Sequence, residues 1–323
     1  MKFRIIIVSK LSATIFGVLL LAPLLGGARA QGLRNPKPGI TKALTQNQLD
    51  ELAHAQDKYQ FYTINPEGAL GGYMSSINDS RLATGVWWNA VNAYTFLWQN
   101  GQQIPVTYPG SSVTLMGNVN NADIVFGNFG SPTVQTAATL KLATGTWTLL
   151  PDITNKPINY GMRMNDFGIG VGTACDETLT ECLGWTWDRK AYSFTTIPGT
   201  SLSTEGPQGI NDRGEEAGSF QDDLGNIHAY LLVHSELTQI DMPGAVTTYG
   251  LDINNNGEIL LQGILADGSY KNGTWREGAF TPLPAAPGGA TSTLAYGLND
   301  NGDYCGSWTD TSGVTHLFVA FRK

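Results

Sequence analysis

Side chains able to do chemistry are sparse in this 323-residue chain, which has four histidines (His54, His228, His234, His316), three cysteines and 27 carboxylates against 19 basic residues. No Cys-x-x-Cys pair or Cys/His cluster occurs, so no metal site is assigned. Gly-x-Ser-x-Gly, phosphate-loop and His-Glu-x-x-His patterns are absent too, and no catalytic residue is assigned. The reaction these residue types still permit is hydrolysis or elimination by single residues on separate loops, with Asp152 and Glu205 acting beside Arg163. His228 and His316 occupy one position of a repeat in copies that are not adjacent, so they read as packed or rim histidines rather than as a shared base or ligand pair. The turns Asp222-Asp223-Leu224-Gly225, Asp267-Gly268 and Asp310-Thr311-Ser312-Gly313 offer the oxygen ligands that calcium takes, without an EF-hand spacing. A weak structural calcium is the most they suggest, and no cofactor is expected. Cys175 and Cys182 bracket a polar hairpin tip and are expected to form a disulfide. Cys305 reads as a buried small hydrophobe.

The most regular polar feature is an apolar-Asn step at Asn78, Asn120, Asn165, Asn211, Asn254 and Asn299, at successive spacings of 42, 45, 46, 43 and 45 residues. A period in that range marks stacked supersecondary units. An Asp follows in four copies, at 79, 166, 212 and 300, and a Gly stands seven residues after the Asn in every copy but the fifth, where it is Gly263. A polar residue shared by all copies is read as fold chemistry, an Asn that ends the innermost strand and holds its turn through its own backbone. Between these steps the chain alternates short apolar runs with Asn-x-x-Gly, Asp-Gly and Pro-Gly turns, so each copy reads as four short antiparallel strands.

The elements that position these residues are therefore all β. The last copy ends at Lys323 after three strands, and the missing fourth lies at the other end of the repeats: Phe61-Tyr62-Thr63-Ile64-Asn65-Pro66-Glu67-Gly68 resembles Leu237-Thr238-Gln239-Ile240-Asp241-Met242-Pro243-Gly244. Pairing that first strand into the last copy would close a ring and remove open edges. The expectation is a six-bladed β-propeller over 59–323, closed by an N-terminal strand, behind an extended lead-in and one short helix over 45–57 within 31–58. Thr45 is the expected helix cap, with Gln48 three residues on.

Ile210-Asn211-Asp212-Arg213-Gly214, Gly218, His228-Ala229-Tyr230 and the Pro-Gly steps resemble the HAF repeat of bacterial extracellular repeat proteins, over residues 59–322. In this chain Tyr stands for Phe at 230 and Leu for Ala at 317, and four copies lack the His. The resemblance implies secretion and a propeller-like fold, and it transfers no catalytic residues. The acidic turns loosely resemble the Asp box of sialidase-type propellers.

Residues 1–30 carry Lys2, Arg4 and Lys10, an apolar run around 11–25 and Ala28-Arg29-Ala30, the pattern of a secretory signal peptide. The run is about 15 residues, short of the roughly 20 that span a bilayer. Removing its four basic residues leaves 15 basic against 27 acidic, a net charge near −12 that argues against nucleic acid and anionic lipid as partners. Eight tryptophans are expected to pack between blades, with one of Trp87-Trp88 exposed. These features point to a secreted, extracellular or periplasmic monomer without a membrane span. The leading expectation is a non-enzymatic binding or scaffold module for a glycan or protein, meeting its ligand on the Pro-Gly crossover face. The alternative is the hydrolase or lyase at the channel mouth.

Overall fold

The computed structural model describes residues 37–38, 55–131, 133–179, 181–195 and 206–323. The leader over 1–30 and Glu205 lie outside them, as does most of the expected helix. The described end of that helix, Ala55–Lys58, is a single 3-10 turn, and no α-helix occurs among the described residues. Its position explains the difference, because the next residue, Tyr59, is already paired with Arg322 and the backbone must be extended there.

The described strands form six four-stranded antiparallel units, each ordered inner, second, third, outer. Their inner strands are Gly71–Ile77, Val113–Val119, Ile158–Met164, Pro207–Ile210, Ala245–Ile253 and Ser292–Leu298. Units two and three join in one eight-stranded sheet through a single parallel bridge, Ile158 to Gln135. The outer strand of the sixth unit is Tyr59–Ile64, from the opposite end of the chain. It pairs antiparallel with Thr315–Arg322, placing Thr63 opposite Phe318 and Tyr62 opposite Val319. Arg81 of the first unit locks this seam, binding Asp303 at 3.0 Å and the Arg322 carbonyl at 3.2 Å. Lys37–Pro38 lies parallel to the outer strand Glu236–Ile240 of the fourth unit. The arrangement is a β-propeller.

The repeated asparagine has two jobs, one on each side of its amide. Its Oδ1 accepts N–H groups from its own turn, as Asn165 does from Phe167 at 3.1 Å and Ile169 at 2.9 Å. Its Nδ2 donates to the backbone carbonyl of the next asparagine: 78 to 120, 120 to 165, 165 to 211, 211 to 254, 254 to 299, and 299 back to 78, all within 2.9–3.2 Å. A second ring lies beside the first. The N–H of each following residue donates to the side-chain oxygen of its counterpart in the next unit, through Asp79, Asn121, Asp166, Asp212, Asn255 and Asp300 and back to Asp79, at 2.6–2.9 Å. All six asparagines are at most 6% exposed.

The Gly seven residues after the Asn is required by close approach. A Cβ on Gly127 would stand 2.2 Å from the Leu115 carbonyl oxygen, and one on Gly306 would stand 1.8 Å from that of Leu294. In the fifth unit Leu261 takes this place, and the tight contact moves to Gly273 on the third strand, against Phe280. Large side chains then fill the space between units, with Trp185, Tyr230, Tyr304, Phe126 and Phe318 fully buried. Trp87 and Trp88 are both half-buried rather than one exposed, because Trp87 stacks on Tyr94 at 4.4 Å and Trp88 lies over Gly71.

The rings make a stability prediction. Asn165→Ala strips a partner from the part-buried Phe167 and Ile169 amides and from the buried Asn211 carbonyl. Roughly 2–4 kcal/mol should be lost, at about 1–3 for a buried group left unpaired. A lowered urea midpoint with an unchanged slope is the expected reading, and a midpoint that does not move would remove the ring from any role in stability.

Candidate functional site

Every inner strand carries a β-bulge about three residues before its Asn. The pairing register shifts between Met74 and Ser76, Leu115 and Asn118, Gly161 and Arg163, Pro207 and Gly209, Gly250 and Asp252, and Ala295 and Gly297. A bulge leaves one residue unpaired and re-aims it. The residues so placed are Ser75, Gly117, Met162, Gln208, Leu251 and Tyr296, and all six line one cavity at the axis.

That cavity, of about 130 Å³, is completed by Tyr73, Val86, Leu115, Asn128, Tyr160, Gly161 and Arg163. It occupies the crossover half of the inner strands. A smaller cavity of about 70 Å³ is lined by the asparagine turns at the other end. Arg163 lines both and stands between them. Its Nη2 donates to the Ser75 and Tyr296 carbonyls, each at 2.7 Å, and its Nη1 to those of Met162 at 3.1 Å and Gly117 at 3.5 Å. Its Nε lies 3.2 Å from Asp252 Oδ1. The guanidinium thus binds the bulge carbonyls of four units and a carboxylate of a fifth. Both terminal nitrogens are held by backbone carbonyls, while Nε faces Asp252 at ion-pair distance without hydrogen-bond geometry. Burial raises the Asp252 carboxyl above the usual carboxylate range, against Arg163 and the Leu298 and Ile253 amides, which favour its charge.

The cavity is neutral and mostly apolar. Burial pushes Tyr73 and Tyr160 up to about 12 and Tyr296 higher still, so all three phenols stay protonated. The Tyr73 and Tyr296 rings pack at 5.1 Å. The Ser75 hydroxyl is occupied by Thr84, while Asn128 donates to Gln135 and keeps its Oδ1 without a protein partner among the described residues. The Tyr160 hydroxyl and the Gln208 amide likewise have no hydrogen bond from described residues, though both line the cavity.

Of the residues singled out in sequence, Arg163 is therefore central. Asp152 lines neither cavity and neighbours Tyr192 instead. Among the described residues no cluster of His, Cys, Asp and Glu could hold a metal ion. At the asparagine end Asp79 and Asp212 titrate above the usual range, through burial and the neighbouring carboxylates. The bulge residues escaped sequence reading because they share a position and no residue type.

His228 and His316 take the same role at the crossover ends of the fourth and sixth units. His228 sits between Asp241, at 2.6 Å from Nδ1, and Asp222, at 3.2 Å from Nε2. His316 lies between Asn65 at 2.9 Å and Asp310 at 3.1 Å, and stacks on Trp308. Each ties the turn after its second strand to the end of its outer strand. Burial opposes the charged form of His228, but the two carboxylates outweigh it and raise its pKa. Cys175 and Cys182, opposite one another on the second and third strands of unit three, form a disulfide, while Cys305 is buried and free. No helix among the described residues is long and apolar enough to cross a membrane.

No protein-family model and no curated protein matches this chain. Solved structures do resemble it. A gluconolactonase from Xanthomonas campestris is 11% identical, over 84% of this chain and 92% of that one, with a TM-score of 0.51. The β-propeller domain of the trilobed protease from Pyrococcus furiosus is 10% identical, over 77% and 95%, at 0.47. A fucose-specific lectin from Aleuria aurantia is 10% identical, over 67% and 80%, at 0.42. At such identities the likeness is one of fold.

Two outcomes are expected here. Arg163→Met leaves the Asp252 carboxylate buried without its partner and should cost about 3–5 kcal/mol in urea unfolding; adding Asp252→Asn should recover part of that loss, and full additivity would sever the pair. For His228 the folded-state pKa is raised, so its contribution is complete below the unfolded value of about 6.5 and fades as pH climbs through the folded one. The stability gap between the native chain and His228→Phe should accordingly narrow on going from acidic to alkaline pH, and a gap constant from pH 5 to 9 would contradict the pairing.

Proposed function

We propose that this protein is a non-enzymatic binding module whose ligand enters the tyrosine-lined cavity at the crossover end of the channel. The observation that carries this reading is the state of Arg163. Among the described residues Arg163 is the one cation lining the cavity, and its terminal nitrogens are taken by four carbonyls while its charge is met by Asp252, which leaves little to polarise or protonate a substrate. What the cavity offers instead are apolar walls and a few unpartnered polar groups, the usual makeup of a recognition pocket. Its ligand is a small neutral group presented by a glycan or a protein.

The six four-stranded units act as six blades of one closed ring in this reading. Their His-tied turns in units four and six support classing them with HAF-type repeats. The Cys175–Cys182 disulfide supports placement in an oxidising compartment after export.

Gly117 supplies the test. It lines the cavity, and a Cβ there would meet only Ser75, at an ordinary 3.9–4.0 Å. In a thermal-shift screen of neutral small molecules and glycans on the full chain, a hit should raise the melting temperature and return unchanged by mass spectrometry. Gly117→Phe should abolish the shift while the protein melts as before. A hit that binds the filled variant equally well would misplace the site, and one that returns chemically altered would favour the hydrolase or lyase reading.

A further inference from the structure

The cavity's inventory narrows its ligand, given that the protein is a binding module at this site. About 130 Å³ approaches the ~150 Å³ of an apolar cavity that holds one benzene ring, so a single six-membered ring fits and little more. The walls that would touch the faces and edges of such a ring are Val86, Leu115, Leu251 and the rings of Tyr73 and Tyr296. A hexopyranose bears a hydroxyl on nearly every ring carbon, and each one buried without a partner costs roughly a factor of ten in affinity. Among the described residues, three lining side chains keep polar atoms for a ligand: the Tyr160 hydroxyl, the Gln208 amide and Asn128 Oδ1. An anion is disfavoured because Arg163 is neutralised by Asp252 and its nitrogens face protein oxygens. An ammonium would find no carboxylate on the lining among the described residues, since Asp252 belongs to the other cavity.

We propose that the cavity recognises a neutral phenol, its ring held between the apolar walls and its hydroxyl bonded by Tyr160, Gln208 and Asn128. A phenolic hydroxyl both donates and accepts. It can therefore donate to the Gln208 or Asn128 oxygen while accepting from the Tyr160 hydroxyl, which burial keeps protonated. Both a free phenolic molecule and a tyrosine side chain of a partner protein present this chemistry.

Calorimetric titration of the full chain with 4-methylphenol, toluene, methyl glucoside and N-acetyltyrosine amide tests the proposal. 4-Methylphenol should bind saturably at one site, toluene about tenfold more weakly for want of the hydroxyl, and methyl glucoside not at all. Tyr160→Phe and Gln208→Leu should each lower 4-methylphenol affinity about tenfold and leave toluene unchanged. This readout separates loss of a hydrogen bond from loss of the fold. Binding of the tyrosine amide as tight as that of 4-methylphenol assigns the ring to a protein partner, and binding of 4-methylphenol alone assigns it to a free phenolic compound. Toluene equal to 4-methylphenol, or methyl glucoside above both, overturns the phenol and leaves the binding module standing. If none of the four probes binds the native chain, the phenol falls, and the wider thermal-shift screen decides the binding module.

Discussion

The fold depends on one constraint at the channel axis: the backbone groups where each inner strand turns must find partners in a space too narrow for anything but a short side chain. Asparagine meets it because one compact amide carries both an acceptor and a donor. Its oxygen takes N–H groups of its own turn and its nitrogen reaches the carbonyl of the next unit, so the same residue shapes the turn and links neighbours. Aspartate lacks the donor, and glutamine would place its amide one methylene too far. In the parallel ring only an oxygen is needed to accept the neighbouring N–H, and there the chain uses Asp four times and Asn twice. The chemistry of each ring explains why one position is uniform among the copies and the next is mixed.

With the strand ends held in step by these rings, the bulges acquire a common height along the axis. Each bulge frees a carbonyl that the ladder no longer pairs, and a buried unpaired carbonyl is costly. Arg163 resolves this for four units at once, and its charge is in turn met by Asp252. One residue from a single copy thus serves the whole assembly, which no repeat pattern could reveal. Gln208 and Leu251, in the fourth and fifth units, are the bulge residues whose carbonyls that guanidinium does not bind among the described residues, and both line the cavity.

Much of the fold was legible because it rests on residue identity. The Asn period, the Asn-to-Gly spacing and the Tyr62 segment's likeness to the fourth copy's outer strand place the units and their closure, and the spacing of Cys175 and Cys182 places the disulfide. The helix over 45–57 was read from a capping pattern, whereas its described end yields to the pairing of Tyr59 with Arg322. The site was largely illegible because it rests on position. Ser, Gly, Met, Gln, Leu and Tyr share no chemistry that a scan could detect, and only the bulge places them on one wall. In sequence Arg163 reads as a partner for carboxylates on the loops, but its partners are backbone carbonyls and Asp252, two residues before the turn asparagine of another unit.

The cavity and the ring thus rest on different chemical groups. Four of the lumen residues support the fold through backbone carbonyls, which any side chain supplies, while Leu251 and Tyr296 also pack in the core. The asparagines support it through side chains that nothing else can replace. Change at the bulges alters the lining of the cavity, while change at the turns alters the hydrogen bonds that link the units. Neutrality of the cavity follows from the same arrangement, because the cation that closes the channel is spent on the scaffold. What the lumen then exposes are ring faces, apolar walls and the few polar groups that the fold has not already used among the described residues.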